Sequence, residues 1–262
     1  MLCLRAPTNP ALSCRVATDS VENTGNTARL KEYRNTSTLF GVDPYPWYNA
    51  SLTTNIYAEV DEIDGLVAAL AGDGGVASCT VSQIFSWGPV DCQKDPDRCD
   101  WPFPPHEVMR AMAFVQPVRG SGGVIQYAYY SLFGFRNQSK PRTDPVVSAR
   151  LAALTKLNRE LSSFAAAEFL ARPEQRTVLD VTGAPTTPAG GATVWATLFK
   201  CDKGCTETGT IIVVNGHSLA VTVAVALPRG GGNLSVKLGP WDVFAKRLNE
   251  TPRRRRRPAD AQ

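Results

Sequence analysis

The apolar pattern of this chain changes once, and that change limits what it can fold into. Up to about Arg172, strand-like apolar runs alternate with stretches of helical spacing. Leu12–Val16 is the first run, followed by the helical segment "TARLKEYR", and residues 38–43 form the second. Ile56, Val60, Ile63, Val67 and Leu70 then recur at helical spacing, and Cys79–Phe85 reads as a third strand. "PPHEVMRAMAFV" starts a helix with prolines at its entry and Glu107 in its first turn, and "GGVIQYAYY" is a fourth strand. Asp144-Pro145 opens the longest helix, because aspartate caps and proline tolerates the first helical position. Such alternation gives parallel strands with helices packed outside, an α/β class.

From about Thr177 no helix intervenes. "TVLDVTG", "ATVWATLFKC", "TGTIIVVNG", "SLAVTVAVALP" and "NLSVKLGPWDVFAKRL" are strands separated by Gly, Pro, Asn and Cys turns. The predicted organisation is an α/β part over 1–172, a small all-β sandwich over 173–251 and an Arg-rich disordered tail over 252–262.

The formal charge of +4 misleads, because residues 253–262 carry five arginines and one aspartate. The remaining body has 23 basic and 23 acidic residues, so it offers no electrostatic reason to expect nucleic acid. The tail reads as a solvated segment, or as a nuclear-localisation or polyanion-binding one. No apolar run approaches the ~18 residues of a membrane span, so no membrane partner is expected.

Seven cysteines leave at least one without a partner inside the chain. Cys92 with Cys99 and Cys201 with Cys205 lie close together in polar, turn-rich segments without zinc spacing, and local disulfides are expected. Five N-x-S/T sequons, at Asn35, Asn49, Asn137, Asn233 and Asn249, fit the same secreted or extracellular setting. The start "MLCLRAPTNP" is not a signal peptide, so the reading expects a longer protein whose beginning lies upstream.

Candidate functional residues gather at predicted strand ends. Asp43 ends one strand in "TLFGVDPYPWY", Gln83 lies late in the next, and Gln126 with Tyr127 and Tyr129 ends the fourth. Ligands of parallel α/β folds collect at the carboxyl ends of the strands. The rings Tyr45, Trp47, Tyr48, Trp87, Trp101, Tyr127 and Tyr130 follow those ends. Aromatic faces pack on the C–H faces of sugars, while Asp, Gln and Tyr bond hydroxyls, so a carbohydrate is the expected ligand. Plainer roles stay open beside this. Asp43 can cap a turn into Pro44, Gln83 can bridge strands inside the core, and the rings can simply pack loops. Glu107 suits the helix dipole, Asp19 is a weaker cleft candidate, and His106 and His217 have no metal-ligand companions nearby. Neither a metal nor an organic cofactor is expected.

"FGVDPYPWYN", "VSQIFSWG", "PPHEVMRAMAFV…GGVIQYAYYS" and "LAALTKLNRELSSF", in this order, resemble the second half of glycoside-hydrolase-like (β/α)8 barrels. In that family D-P-Y-P follows the sixth strand, Q-x-F-x-W the seventh and a Y-x-Y-Y-like segment the eighth. A C-terminal β-sandwich ends in a segment like "LGPWDVFAKRL". The resemblance covers roughly Pro7 to Leu248 and implies a partial TIM barrel of about four βα units, strands 5–8. It also implies hydrolysis of O-glycosidic bonds by two carboxyl groups. The chain departs from that pattern in two ways. Strands one to four and their acid are not in it, and the seventh strand carries Gln83, which can neither attack nor titrate. The resemblance thus leaves Asp43 as the one catalytic candidate. Substrate-binding candidates are Asp43, Tyr45, Trp47, Gln83, Trp87, Gln126, Tyr127 and Tyr129, facing an oligosaccharide or polysaccharide. The expected function is a glycoside hydrolase fragment inactive without its missing N-terminal half, or a non-catalytic sugar-binding remnant. A third reading has the β-part and the arginine tail mediating association.

Overall fold

The computed structural model describes residues 39–43, 45–47, 56–70, 77–86, 102–133, 141–163, 176–188, 190–200, 209–228 and 231–248. Strands β1 (Leu39–Val42), β2 (Ala77–Gln83) and β3 (Val124–Tyr127) pair in parallel, with β2 in the middle. Helix α1 (Ile56–Leu70) connects β1 to β2, and α2 (His106–Val118) connects β2 to β3. A 3-10 turn at Tyr129–Phe133 follows β3 and precedes α3 (Pro145–Ser163). The strand–helix alternation therefore folds as its pattern predicts. The partial barrel is another matter: among the described residues the parallel sheet has three strands and is open, not closed into a barrel. Leu12–Val16 and Asp19 lie outside the described residues.

Successive side chains of a strand point to opposite faces, and this divides the parallel sheet. Val42 packs with Leu66 and Leu70 of α1, and Val124 packs on the face that α2 covers. Cys79, Val81 and Ile125 form a cluster on the other face, with Tyr45 against it. Asp144 caps α3, its Oδ1 accepting hydrogen bonds from the backbone N–H of Val146 at 2.9 Å and Val147 at 3.3 Å.

Helix α2 departs from the ordinary amphipathic pattern. Val108, Met109 and every residue from Ala111 to Val118 are buried. A helix apolar all round must be covered all round. Its core takes in Ile63 of α1, Val124 of β3, Leu157 of α3, and Phe199 and Ile212 of the antiparallel region. Gly120 ends the helix at φ +107°, a conformation that favours glycine, and a Cβ there would lie 3.3 Å from Val67 of α1.

The antiparallel region forms two sheets. Strands β4 (Arg176–Leu179), β6 (Val194–Lys200), β7 (Gly209–Asn215) and β10 (Val243–Leu248) run in the order β10-β7-β6-β4. Strands β5 (Val181–Thr182), β8 (Val221–Ala226) and β9 (Asn233–Leu238) run in the order β5-β8-β9. Alternation sorts the residues of β6 and β7. Val194, Ala196, Leu198, Ile211 and Val213 join the core shared with β8 and β9. Trp195, Phe199, Ile212 and Val214 join the core of α2. The four-stranded sheet is thus covered on both faces, and Thr197 Oγ1 donates to the Val118 carbonyl at 2.8 Å across one of them.

Charged groups close the seams at each end of α2. The Arg110 guanidinium grips Glu160 of α3, with Nε to Oε1 at 2.9 Å and Nη2 to Oε1 at 2.6 Å, and reaches Asp242 Oδ1 at 3.0 Å with Nη1. Arg119 Nε holds Asp64 of α1 at 2.9 Å. These pairs are partly wet, so each contributes at most about 1 kcal/mol. Apolar burial around α2 is the larger effect. Phe114 is fully buried in that core. Phe114→Ala is expected to destabilise the chain by about 3–5 kcal/mol, read as a lower midpoint in urea unfolding.

Candidate functional site at the carboxyl ends of the parallel strands

The carboxyl ends of β1, β2 and β3 lie side by side, and a ring stands at or just beyond each. Tyr45 follows β1, Phe85 follows β2, and Tyr127 is the last residue of β3. Tyr45 stacks on Tyr127, with centroids 5.8 Å apart and planes at 25°. Phe85 meets both edge-on, 5.0 Å from Tyr45 and 5.9 Å from Tyr127. Such offset and edge-to-face contacts are the favoured geometries of aromatic pairs. Phe85 is buried and Tyr45 half-buried, whereas Tyr127 and Tyr129 are 42% and 47% exposed. Tyr127 is therefore the open ring of this cluster, while Tyr129, two residues further on, packs against Phe133.

Gln83 lies beneath the rings and is fully buried. Its Oε1 accepts from Trp47 N–H at 2.8 Å, and its Nε2 donates to Trp47 O at 2.8 Å and to Phe85 O at 3.0 Å. The side chain thus fixes the turn after β1 to the end of β2. Two of its three bonds require an N–H donor, and an ionised carboxylate supplies none. An amide, not a carboxylate, is therefore the group that this position requires. Trp47 is likewise a packed ring: it is 5% exposed, its Nε1 donates to Pro102 O at 3.1 Å, and its edge meets Trp241 at 5.9 Å.

The other sequence candidates fall into place by register. Gln83 pairs with Tyr127, so these two share the Tyr45 face. Gln126 pairs with Ser82 and points to the opposite face, towards the helices. Gln126 Nε2 and Ser82 Oγ are buried there without a hydrogen-bond partner among the described residues. Gln126 and Tyr127 therefore do not act on one ligand face, because consecutive strand residues diverge. Asp43 directly follows β1 and is half-buried; counting on from the Val42–Thr80 pair sets it level with Val81, two residues short of Gln83. Trp87, Tyr48, Trp101 and the four cysteines Cys92, Cys99, Cys201 and Cys205 lie outside the described residues. Cys79 is buried. Among the described residues no group of three or more His, Cys, Asp and Glu side chains could hold a metal ion, and no helix is long and apolar enough to cross a membrane.

Phe85 is the site residue missed in the sequence. Its signal was present, since it lies two residues beyond Gln83 in "QIF", but it reads equally as the end of an apolar strand.

No protein-family description matches this chain, and no curated protein matches it. Among solved structures, it is similar to the cyclic α-maltosyl-(1→6)-maltose hydrolase of Arthrobacter globiformis at 12% identity and a TM-score of 0.39, covering 88% of this chain and 55% of that one. Eubacterium rectale Amy13B matches at 10% identity and a TM-score of 0.32, covering 86% of this chain and 63% of that one. The chain thus spans less than two thirds of each of these structures. Superpositions at such scores do not establish a shared fold, so the strand-end residues themselves carry the functional question.

Two predictions follow from the polar groups at these ends. Gln83→Glu places a carboxylate against two carbonyl oxygens in the core and is expected to cost at least about 3 kcal/mol at neutral pH. Burial raises the pKa of such a carboxyl, so the folded variant holds its proton more tightly than the unfolded chain does. Its stability deficit should then shrink as pH falls into the carboxylate range, read by thermal melting across pH. His106, the first residue of α2, has a pKa below the ordinary histidine value through burial and then through Lys156 and, more weakly, Arg110, against opposing Glu107 and Glu160. Between that lowered value and the ordinary one the unfolded chain binds more protons, so stability falls as pH drops through this window. His106→Gln should flatten the fall in urea midpoint between about pH 7 and about pH 5.

Proposed function

We propose that this is a carbohydrate-active protein that binds a saccharide on the ring surface at the ends of β1, β2 and β3. The observation that supports this best is the contact of Tyr45, Phe85 and Tyr127, drawn from three neighbouring strands, with Tyr127 and Tyr129 left open. Rigid rings at strand ends offer a flat apolar face at small entropic cost, and sugar rings present a matching C–H face.

In the finer reading the chain is part of a glycoside hydrolase to which Asp43 contributes one of two carboxyl groups. Gln83 cannot be the second, since its amide is committed to Trp47 and Phe85. That commitment favours binding without turnover by this chain alone, whether as a portion of a hydrolase or as a non-catalytic saccharide-binding protein. Export to an oxidising compartment, where the two local disulfides would form, belongs to the same proposal.

The test is calorimetric titration with a panel of oligosaccharides. At least one should bind, and Tyr127→Ala should weaken it about tenfold, the loss of one stacking contact. The circular dichroism of the variant should match that of the parent. Absence of binding across the panel, or undiminished affinity in the variant, overturns the reading.

A further inference from the structure

Beside Tyr129 stands a cation that the saccharide reading leaves unused. Arg142, exposed just ahead of α3, donates from Nη2 to the Tyr129 hydroxyl at 3.0 Å. Its guanidinium carbon lies 5.8 Å from the centre of the Phe133 ring, and Phe133 meets Tyr129 edge-on at 5.3 Å. Two rings that touch each other thus hold one guanidinium in place.

No carboxylate lies within ion-pair distance of Arg142 among the described residues, in contrast to Arg110 and Arg119, which are both paired. Asp144, two residues further on, directs Oδ1 to the first N–H groups of α3. Arg150 has a different environment: it is half-buried, lies 4.5 Å over Phe103 and donates to Leu132 O. A guanidinium has five N–H donors, in a fork that fits the two oxygens of a carboxylate or sulfate. Orientation by rings removes part of the entropy cost of using it.

We infer that the saccharide bound here is anionic, with a uronate carboxylate or a sulfate ester on Arg142 and the sugar ring against Tyr127 and Tyr129. This rests on the saccharide reading above. Neutral sugars would meet the same rings but leave the cation to water, whereas an acidic sugar engages both. A surface pair of this kind is screened by salt, so the preference is ionic-strength dependent.

The test uses the full chain, neutral tetrasaccharides of glucose, mannose and galactose, their uronate counterparts, and a sulfated galactose tetrasaccharide. In low salt the best acidic ligand should bind about fivefold more tightly than its neutral counterpart, and the gap should narrow at high salt. In Arg142→Gln the acidic and neutral forms should bind alike, while Tyr127→Ala should weaken both. Equal affinity for the two forms in the parent chain, or a preference that survives Arg142→Gln, overturns the charge assignment and leaves saccharide binding standing. Failure of every saccharide to bind overturns both.

Discussion

Helix α2 has almost no side on which a residue could be wet, and this sets the placement of the other layers. From Ala111 to Val118 each side chain is inside, so the helix needs cover from α1, α3, the parallel sheet and the four-stranded antiparallel sheet together. Removing any one would expose apolar surface at about 25 cal/mol per Å². The polar contacts fix orientation at the seams. Arg110 ties the start of α2 to α3 and to the turn before β10, while Thr197 ties its end to β6. Burial supplies most of the energy, and the hydrogen bonds select one arrangement.

This constraint also explains which parts of the fold could be read from sequence. Helix α1 was legible because Ile56, Val60, Ile63 and Leu70 recur at helical spacing and are all buried, and α3 because Asp144 and Pro145 mark its start. Most strands were legible as apolar runs between turn residues. The division of "NLSVKLGPWDVFAKRL" between two sheets was less plain. Its turn at Trp241, with φ +47°, sends β9 to one sheet and β10 to the other, which no local periodicity records.

The candidate site was legible as a place more than as a set of side chains. Tyr45, Gln83 and Tyr127 do lie at adjoining strand ends, as their positions in the pattern imply. The fate of each group depended on partners distant in sequence. Trp47 looks like a ring on a lip until Pro102 and Trp241 enclose it. Gln83 looks like a failed nucleophile until its three bonds are seen, and then an amide is the group the position needs. Gln126 is the exception, because two-residue periodicity alone places it opposite Tyr127.

The double burial of the antiparallel sheet has a consequence for how this chain can diverge. Strand β7 lies between β6 and β10, and all seven of its residues are buried. Even Gly209 lacks room, since a Cβ would lie 2.6 Å from Phe199 O. Strand β8, by contrast, alternates between buried positions and more open ones such as Thr222. Distant relatives should therefore keep β7 as an unbroken block of nearly fixed volume, while β8 drifts at every second position.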